Sequence, residues 1–193
     1  MKKETLILAG LISFTVGFIT GSTLAILKGA NEVETDVAPS KYQSPISTAP
    51  PSIEFTEKIE DLKEILRNDP KNLSAWLKLG KLYSDFGLTR DAIDAYNRYL
   101  TLQPDNPDVR TDLGILLRRL GDFDGAIEEF QKAARSDPKH SNSRYHLGII
   151  LLHDKRDVKE AIRAWEDFLK VAPEGERVRR VRAQIERLKN VAK

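Results

Sequence analysis

Residues 73–106 read LSAWLKLGKLYSDFGLTRDAIDAYNRYLTLQPDN, and the same order of residue types returns twice. The second copy is PDVRTDLGILLRRLGDFDGAIEEFQKAARSDPKH at 107–140, and the third is SNSRYHLGIILLHDKRDVKEAIRAWEDFLKVAPEG at 141–175. A period of about 34 residues is typical of stacked helical units that bind other polypeptides. The positions that mark the period are Leu79-Gly80, Leu113-Gly114 and Leu147-Gly148, then Ala92, Ala126 and Ala161, then Pro104, Pro138 and Pro173.

The glycines of each Leu-Gly pair fall within predicted helices. Glycine inside a helix costs about 1 kcal/mol relative to alanine, so its recurrence predicts a close approach of two helices. We expect the repeated alanines to supply a complementary small surface, and the larger apolar residues to fill the layer between helices. Gly87 and Gly121 fit left-handed caps at the ends of first helices, and the repeated prolines end the second helices.

The third repeat departs from this pattern. It has one extra residue between Gly148 and Ala161, and Lys155 stands where the capping glycine is expected. We therefore expect a longer, more mobile turn at 153–158. The last helix, predicted at 174–191, has one apolar stripe and otherwise basic faces, which suits a solenoid cap. The alternative is that it is both a cap and a basic docking surface. The stripe is formed by Val178, Val181, Ile185 and Leu188.

These units resemble the tetratricopeptide repeat (TPR), a helix-turn-helix of 34 residues. The resemblance covers 73–175 in full and about 55–191 with the flanking helices, and it implies an all-α solenoid. Arg110 stands at the position that tryptophan usually fills. The matching residues are Trp76, Leu79, Gly80, Tyr83, Ala92, Tyr96 and Pro104 in repeat one; Leu113, Gly114, Leu117, Ala126, Phe130, Ala133 and Pro138 in repeat two; and Leu147, Gly148, Leu151, Ala161, Trp165, Phe168 and Pro173 in repeat three.

In this family a peptide-binding groove is lined mainly by the first helix of each repeat. The resemblance implies an apolar floor flanked by cations, which suits an extended or helical peptide with apolar anchors and some acidic character. The alternative is that these residues are ordinary exposed helix surface. In chaperone-binding members a ring of Lys, Asn and Arg forms a carboxylate clamp. Here the clamp positions hold Leu77, Lys81, Thr111 and Ile115, among others; the pattern is broken, so chaperone tails are not expected. The matching groove residues are Leu77, Lys78, Lys81, Ser84, Thr111, Ile115, Arg118, Tyr145, Ile149 and Leu152.

The N-terminus predicts a membrane anchor. Residues 5–27 carry no charge, and as a helix they would extend about 34 Å, enough to cross a hydrocarbon core of about 30 Å. We interpret this stretch as an uncleaved signal anchor; the alternatives are a cleaved signal peptide and a buried core helix. Lys2 and Lys3 in the stub 1–4 favour an N-terminus inside and the bulk of the chain outside, which in a bacterium is the periplasm.

Two features adjoin this span. Gly17 and Gly21 form a GxxxG pattern, which indicates helix dimerisation in the membrane or reflects the general frequency of glycine in such spans. Residues 28–54 are rich in proline, serine and threonine and predict a semi-extended linker. The remaining residues, 55–193, form the predicted TPR domain.

Composition excludes several kinds of chemistry. The chain has no cysteine and a net charge of +2, so it has no disulfide, thiolate metal site or covalent haem attachment through CxxCH, and no bulk charge that favours nucleic acid. His146 and His153 are seven residues apart, or about 10 Å along a helix, too far to share one zinc ion. No GxSxG, phosphate loop or HExxH occurs. We expect no enzymatic activity, no metal and no cofactor.

The sequence thus predicts a single-pass protein of the inner membrane whose periplasmic TPR domain binds a peptide or protein partner. Its layout is similar to that of bacterial membrane-anchored TPR proteins, including accessory subunits that present apocytochrome c to the haem-ligation machinery. Envelope assembly, secretion and cell-division scaffolding fit the same layout. The alternative from another class is a structural protein that forms homo-oligomers.

Overall fold

The structure is a computed structural model that describes residues 53–191 of the chain. Every regular secondary-structure element within that range is an α-helix, which confirms the predicted all-α class. None of these helices is long and apolar enough to span a bilayer, and the predicted span at 5–27 lies outside the described residues. The helices are α1 (Ile53–Asn68), α2 (Leu73–Asp85), α3 (Thr89–Leu102), α4 (Pro107–Arg119), α5 (Phe123–Ser136), α6 (Ser141–His153), α7 (Val158–Val171) and α8 (Glu176–Val191).

The helices form three antiparallel pairs, α2 with α3, α4 with α5 and α6 with α7, which pack on one another in chain order. The repeat period also governs how the first helices begin. Asn72 and Asn106 cap α2 and α4 by accepting the N–H of the residue three positions later, and His140 does the same for α6. Each cap satisfies an N–H that the helix itself leaves unpaired.

Within each pair, the glycine of the first helix faces an aromatic ring of the second. The nearest atoms to Gly80 and Gly114 belong to Tyr96 and Phe130, and those nearest Gly148 belong to the ring of another aromatic residue, Trp165. The close helix approach predicted from the glycines is therefore present. However, the rings, rather than the repeated alanines, lie closest to the glycines, and the alanines are fully buried elsewhere in the core.

The turns inside the repeats follow the glycine pattern. Gly87 and Gly121 have φ of 74° and 82°, so both predicted left-handed caps are confirmed. The turn of the third repeat, 154–157, is one residue longer than 86–88 and 120–122, which confirms the predicted length difference. Its left-handed position is Arg156, with φ 58°, rather than Lys155. The predicted extra mobility of this turn stays a prediction.

Helices at both ends of the described range complete the core. The buried stripe on α8 consists of Val178, Val181 and Ile185, which pack against α7 as the cap prediction requires. This helix begins at Glu176 rather than 174, because the N–H of Arg179 bonds the carbonyl of Gly175 and sets the first turn there. At the other end, α1 begins at 53, slightly before the predicted end of the linker.

Arg110 of repeat two, at the position of Trp76 in repeat one, keeps the hydrogen bond to the turn that precedes its helix. The Nε1–H of Trp76 donates to the carbonyl of Pro70 over 2.9 Å. One period later, the Nε–H of Arg110 donates to the carbonyl of Pro104 over 2.7 Å. Arg110 adds an ion pair to Glu129 on α5 at 2.6 Å, with only 15% and 11% of the two side chains exposed. The arginine thus links two helices as well as the preceding turn.

Candidate binding groove

The groove face is defined here as the surface of the three first helices, α2, α4 and α6, that carries the predicted binding residues. Six of these residues are partly accessible, and the two lysines are exposed. Thr111 and Leu152 are buried, at 1% and 9% exposure, and present almost no surface to a partner. The accessible set is Leu77, Lys78, Lys81, Ser84, Ile115, Arg118, Tyr145 and Ile149.

Local packing explains why the other two are covered. The hydroxyl of Thr111 donates to the carbonyl of Pro107 over 2.8 Å, so this side chain bonds its own helix. Leu152 belongs to the cluster that contains Trp165 and Phe168 of α7 and the buried stripe of α8. The cap helix α8 therefore contributes to the core that covers Leu152. The family pattern of groove residues does not take a cap helix into account.

The period identifies two further residues that the sequence reading left out. Asp112 and His146 stand one and two periods after Lys78, and both are partly buried on α4 and α6. Asp112 lies near Lys81 and the hydroxyl of Tyr96; burial raises the pKa of its carboxyl above the usual range, although Lys81 acts in the opposite direction. The spacing of 34 residues from Lys78 was the signal that could have found them.

His146 lies among rings and cations. Its ring stacks on Phe130 with centroids 5.7 Å apart and meets Tyr145 edge-on at 5.4 Å. Burial lowers the pKa of His146 to about 4, and the charges of Arg177, Arg118 and His140 act in the same direction. The imidazole is therefore neutral near pH 7.

The cap helix places one residue against the part of the groove face that α6 forms. The guanidinium carbon of Arg177 lies 4.6 Å above the centre of the Tyr145 ring, a cation–π geometry. Its Nη1 donates to the side-chain carbonyl of Asn142 over 3.3 Å. Sequence reasoning placed this arginine only on the charged outer surface of the last helix, because the helix crossing that brings it over α6 is a tertiary feature.

An ion pair lies beside this cluster. The Nε of Arg118 on α4 is 2.5 Å from a carboxylate oxygen of Asp154 in the turn that follows α6. The extra turn residue of repeat three thus lies next to an interaction between neighbouring repeats. Arg118 contributes less free charge to the groove face than its sequence suggests, because its guanidinium is paired.

A cavity of about 450 Å³ lies elsewhere, between α1, α2 and α3. Its apolar lining includes Trp76, Leu79 and Tyr83, and none of the predicted groove residues. Among residues 53–191, no three histidine or carboxylate side chains are grouped so that they could hold a metal ion.

Comparison with protein families is decisive for the class of the chain. Residues 54–179, which are more than half of the sequence, match the cytochrome c-type biogenesis protein H TPR domain. The chain belongs to this family. Members of the TPR class are typically non-catalytic, and this cytochrome c-type biogenesis H-like TPR domain is a scaffold for protein interaction.

Solved structures agree with the fold of the family. A crystal structure of MamA superposes with a TM-score of 0.63 and 26% identity, over 71% of this chain and 74% of that one. Another MamA crystal structure gives a TM-score of 0.58 and 28% identity, over 62% and 70% of the two chains. The type III secretion translocator chaperone SycD of Yersinia enterocolitica shares the fold, with a TM-score of 0.58 and 20% identity, over 64% and 88%.

Proposed function

We propose that this protein is a membrane-anchored, extracytoplasmic scaffold that holds a c-type apocytochrome during its maturation. The observation that carries the proposal is the family match over 54–179, whose description names cytochrome c-type biogenesis. The groove face adds a suitable surface, because Leu77, Ile115, Tyr145 and Ile149 are all partly accessible there.

An apocytochrome fits this surface for a physical reason. Before haem is attached, the polypeptide exposes apolar segments that the mature protein buries, and an apolar groove between helices binds such segments in extended or helical form. The chain has no cysteine. It therefore cannot form mixed disulfides with the two thiols that an apocytochrome must keep free for haem attachment.

The location is part of the proposal. The uncharged stretch 5–27 supports a membrane anchor, and the proline-rich stretch that follows it up to α1, 28–52, supports a linker of about 25 residues that holds the TPR domain away from the bilayer. Lys2 and Lys3 before the span support an extracytoplasmic domain. A cysteine-labelling assay on variants with a single introduced cysteine at Ser44 or Lys193 would test this orientation in intact cells.

The test of function is a binding titration with the full-length protein in a mild detergent. The ligand is a haem-free c-type cytochrome, and the comparison ligand is the same cytochrome with haem attached. We expect binding in the micromolar range for the first and at least about tenfold weaker binding for the second. Equal affinity for both forms would contradict the proposal.

A groove variant makes the titration specific. Ile115→Asp places a charge on the accessible apolar floor, whereas Ile65→Asp changes an exposed isoleucine on α1. We expect the first to abolish binding and the second to leave it unchanged. Because Ile115 also packs against the cluster of Phe130 and Ile150, the helical circular dichroism of each variant is measured so that a folding defect is recognised. A different result would favour the homo-oligomer. In that result the mass of the complex changes with protein concentration, and binding is lost together with that change.

A further inference from the structure

We propose that the C-terminal end of the groove face binds an acidic side chain of the partner peptide. This surface, called the acid-binding end below, consists of Arg118, Asn142, Tyr145, His146, Ile149 and Arg177. The inference rests on the proposed function, in that it names the chemistry of a peptide segment that the same groove holds. It adds a residue of the cap helix, Arg177, as the group that selects that segment.

The first step is the arrangement of Arg177. Its guanidinium lies over the ring of Tyr145 at 4.6 Å and donates one hydrogen bond to Asn142. None of the carboxylates between residues 53 and 191 forms an ion pair with it. A guanidinium has five N–H donors in a planar fork that matches a carboxylate, so most donors of Arg177 remain for a ligand while the ring and the amide hold its orientation.

The second step is the charge balance around it. Arg118 pairs with Asp154, whereas no carboxylate among residues 53–191 forms an ion pair with Arg177. Of these two guanidinium groups, only that of Arg177 is therefore left without a compensating negative charge. One carboxylate of a ligand would neutralise this end of the groove face.

The third step is the surroundings of that charge. Tyr145 and Ile149 are partly accessible on the same helix, four residues apart, so they share one face. His146 stacks on Phe130 and makes no hydrogen bond to a described side chain. Its neutral ring meets the ring of Tyr145 edge-on. Arg177 is itself exposed on α8, so a ligand carboxylate can reach its guanidinium without displacing a protein carboxylate.

These steps define the occupant. It is a peptide segment with a glutamate or aspartate side chain for Arg177 and an apolar side chain nearby for Tyr145 and Ile149. A neutral amide in place of the carboxylate would lose a charge-assisted hydrogen bond, and we expect this to reduce affinity by about tenfold.

The experiment is a positional scan with the full-length protein in detergent. The probe is an array of acetylated and amidated 12-residue peptides that carry two leucines four residues apart and vary one other position at a time. We expect glutamate and aspartate to bind about tenfold more tightly than glutamine and asparagine at one or two positions. Arg177→Gln should reduce this preference to less than about threefold, and Arg177→Lys should restore part of it.

Arg187→Gln is the matched control, since it removes the same charge from an exposed position on the same helix, about 15 Å further along its axis. It should keep the acidic preference. A second array with free C-terminal carboxylates distinguishes a chain end from an acidic side chain. The helical circular dichroism of each variant is measured in parallel, so that a folding defect is recognised.

Four results would overturn the inference, and the first three are seen in peptides that bind. These are peptide binding without an acidic preference, an acidic preference that Arg177→Gln leaves intact in a folded variant, and a preference for the free chain end alone. Each leaves the apocytochrome titration to decide the proposed function separately. Complete absence of peptide binding overturns the acid-binding end, and the titration then shows whether the scaffold function fails with it.

Discussion

Gly114 on α4 faces the ring of Phe130 on α5 so closely that a Cβ at position 114 would lie 2.6 Å from Cε1 of that ring. Phe130 is fully buried, which leaves its ring no open side toward which to move. The same pairing joins Gly80 to Tyr96. A glycine that costs helix stability locally is thus required by the tertiary contact.

The first prediction concerns this contact. Gly114→Ala should destabilise the domain by about 1–3 kcal/mol, because overpacking displaces a buried ring. Urea unfolding of the full-length protein measures the change. Gly175→Ala is the matched control, since a Cβ there meets nothing within 4 Å, and it should have little effect. An unchanged unfolding midpoint for Gly114→Ala would show that the helices do not approach as described.

The second prediction concerns the turn of repeat three. Arg156 has φ 58°, and a side chain in the left-handed region costs roughly 1–2 kcal/mol relative to glycine. Arg156→Gly should therefore raise the free energy of unfolding by up to about 1 kcal/mol. Lys155→Gly, at the position where the sequence pattern expects glycine, should lower it. Thermal unfolding compares the two, and the reverse order would contradict the turn geometry.

The third prediction concerns the ion pair between Glu129 and Arg110, the arginine that stands at the tryptophan position in repeat two. Glu129→Gln leaves Arg110 buried without a charged partner and should cost about 3 kcal/mol. Changing both residues to apolar ones, as in Arg110→Met with Glu129→Leu, should recover most of that loss, because no unpaired charge is left in the core. A double-mutant cycle in urea gives the coupling free energy. Additive effects would mean that the pair contributes no specific coupling.

The fourth prediction concerns pH. The pKa of His146 is lowered to about 4 in the folded state, against about 6.5 in the unfolded chain. The unfolded state therefore binds the proton first as pH falls, and stability decreases between about pH 6.5 and 4. The upper limit of this loss is about 3 kcal/mol. The groups that face His146 are Arg118, Arg177 and His140.

His146→Phe is the matched variant for the pH measurement, because an aromatic ring keeps the stacking on Phe130. Its free energy of unfolding should vary less across this pH window than that of the unmodified protein. His153→Phe changes an exposed histidine and is the control for the replacement of histidine by phenylalanine. Identical pH profiles for the His146→Phe variant and the unmodified protein would contradict the assignment.

Periodicity was sufficient to predict the helical class, the repeats and the two glycine caps. These features follow from local residue patterns that occur in all three repeats. A glycine that lowers helix stability at the same position of each repeat indicates that the repeats share a contact there. Periodicity did not predict that the ring of Tyr96, rather than one of the repeated alanines, lies nearest to Gly80, because it shows which positions correspond without showing which side chains meet.

For the candidate site, the sequence predicted which face of the first helices carries accessible apolar and basic residues. It could not predict that Leu152 is covered, that Arg118 is paired with Asp154, or that Arg177 lies over Tyr145. Each depends on how one helix crosses another, and small differences in that crossing decide whether a side chain is buried, neutralised or available. The sequence alone thus determined the architecture, and only the tertiary structure decided that Arg118 is paired with Asp154 and that Arg177 lies over Tyr145.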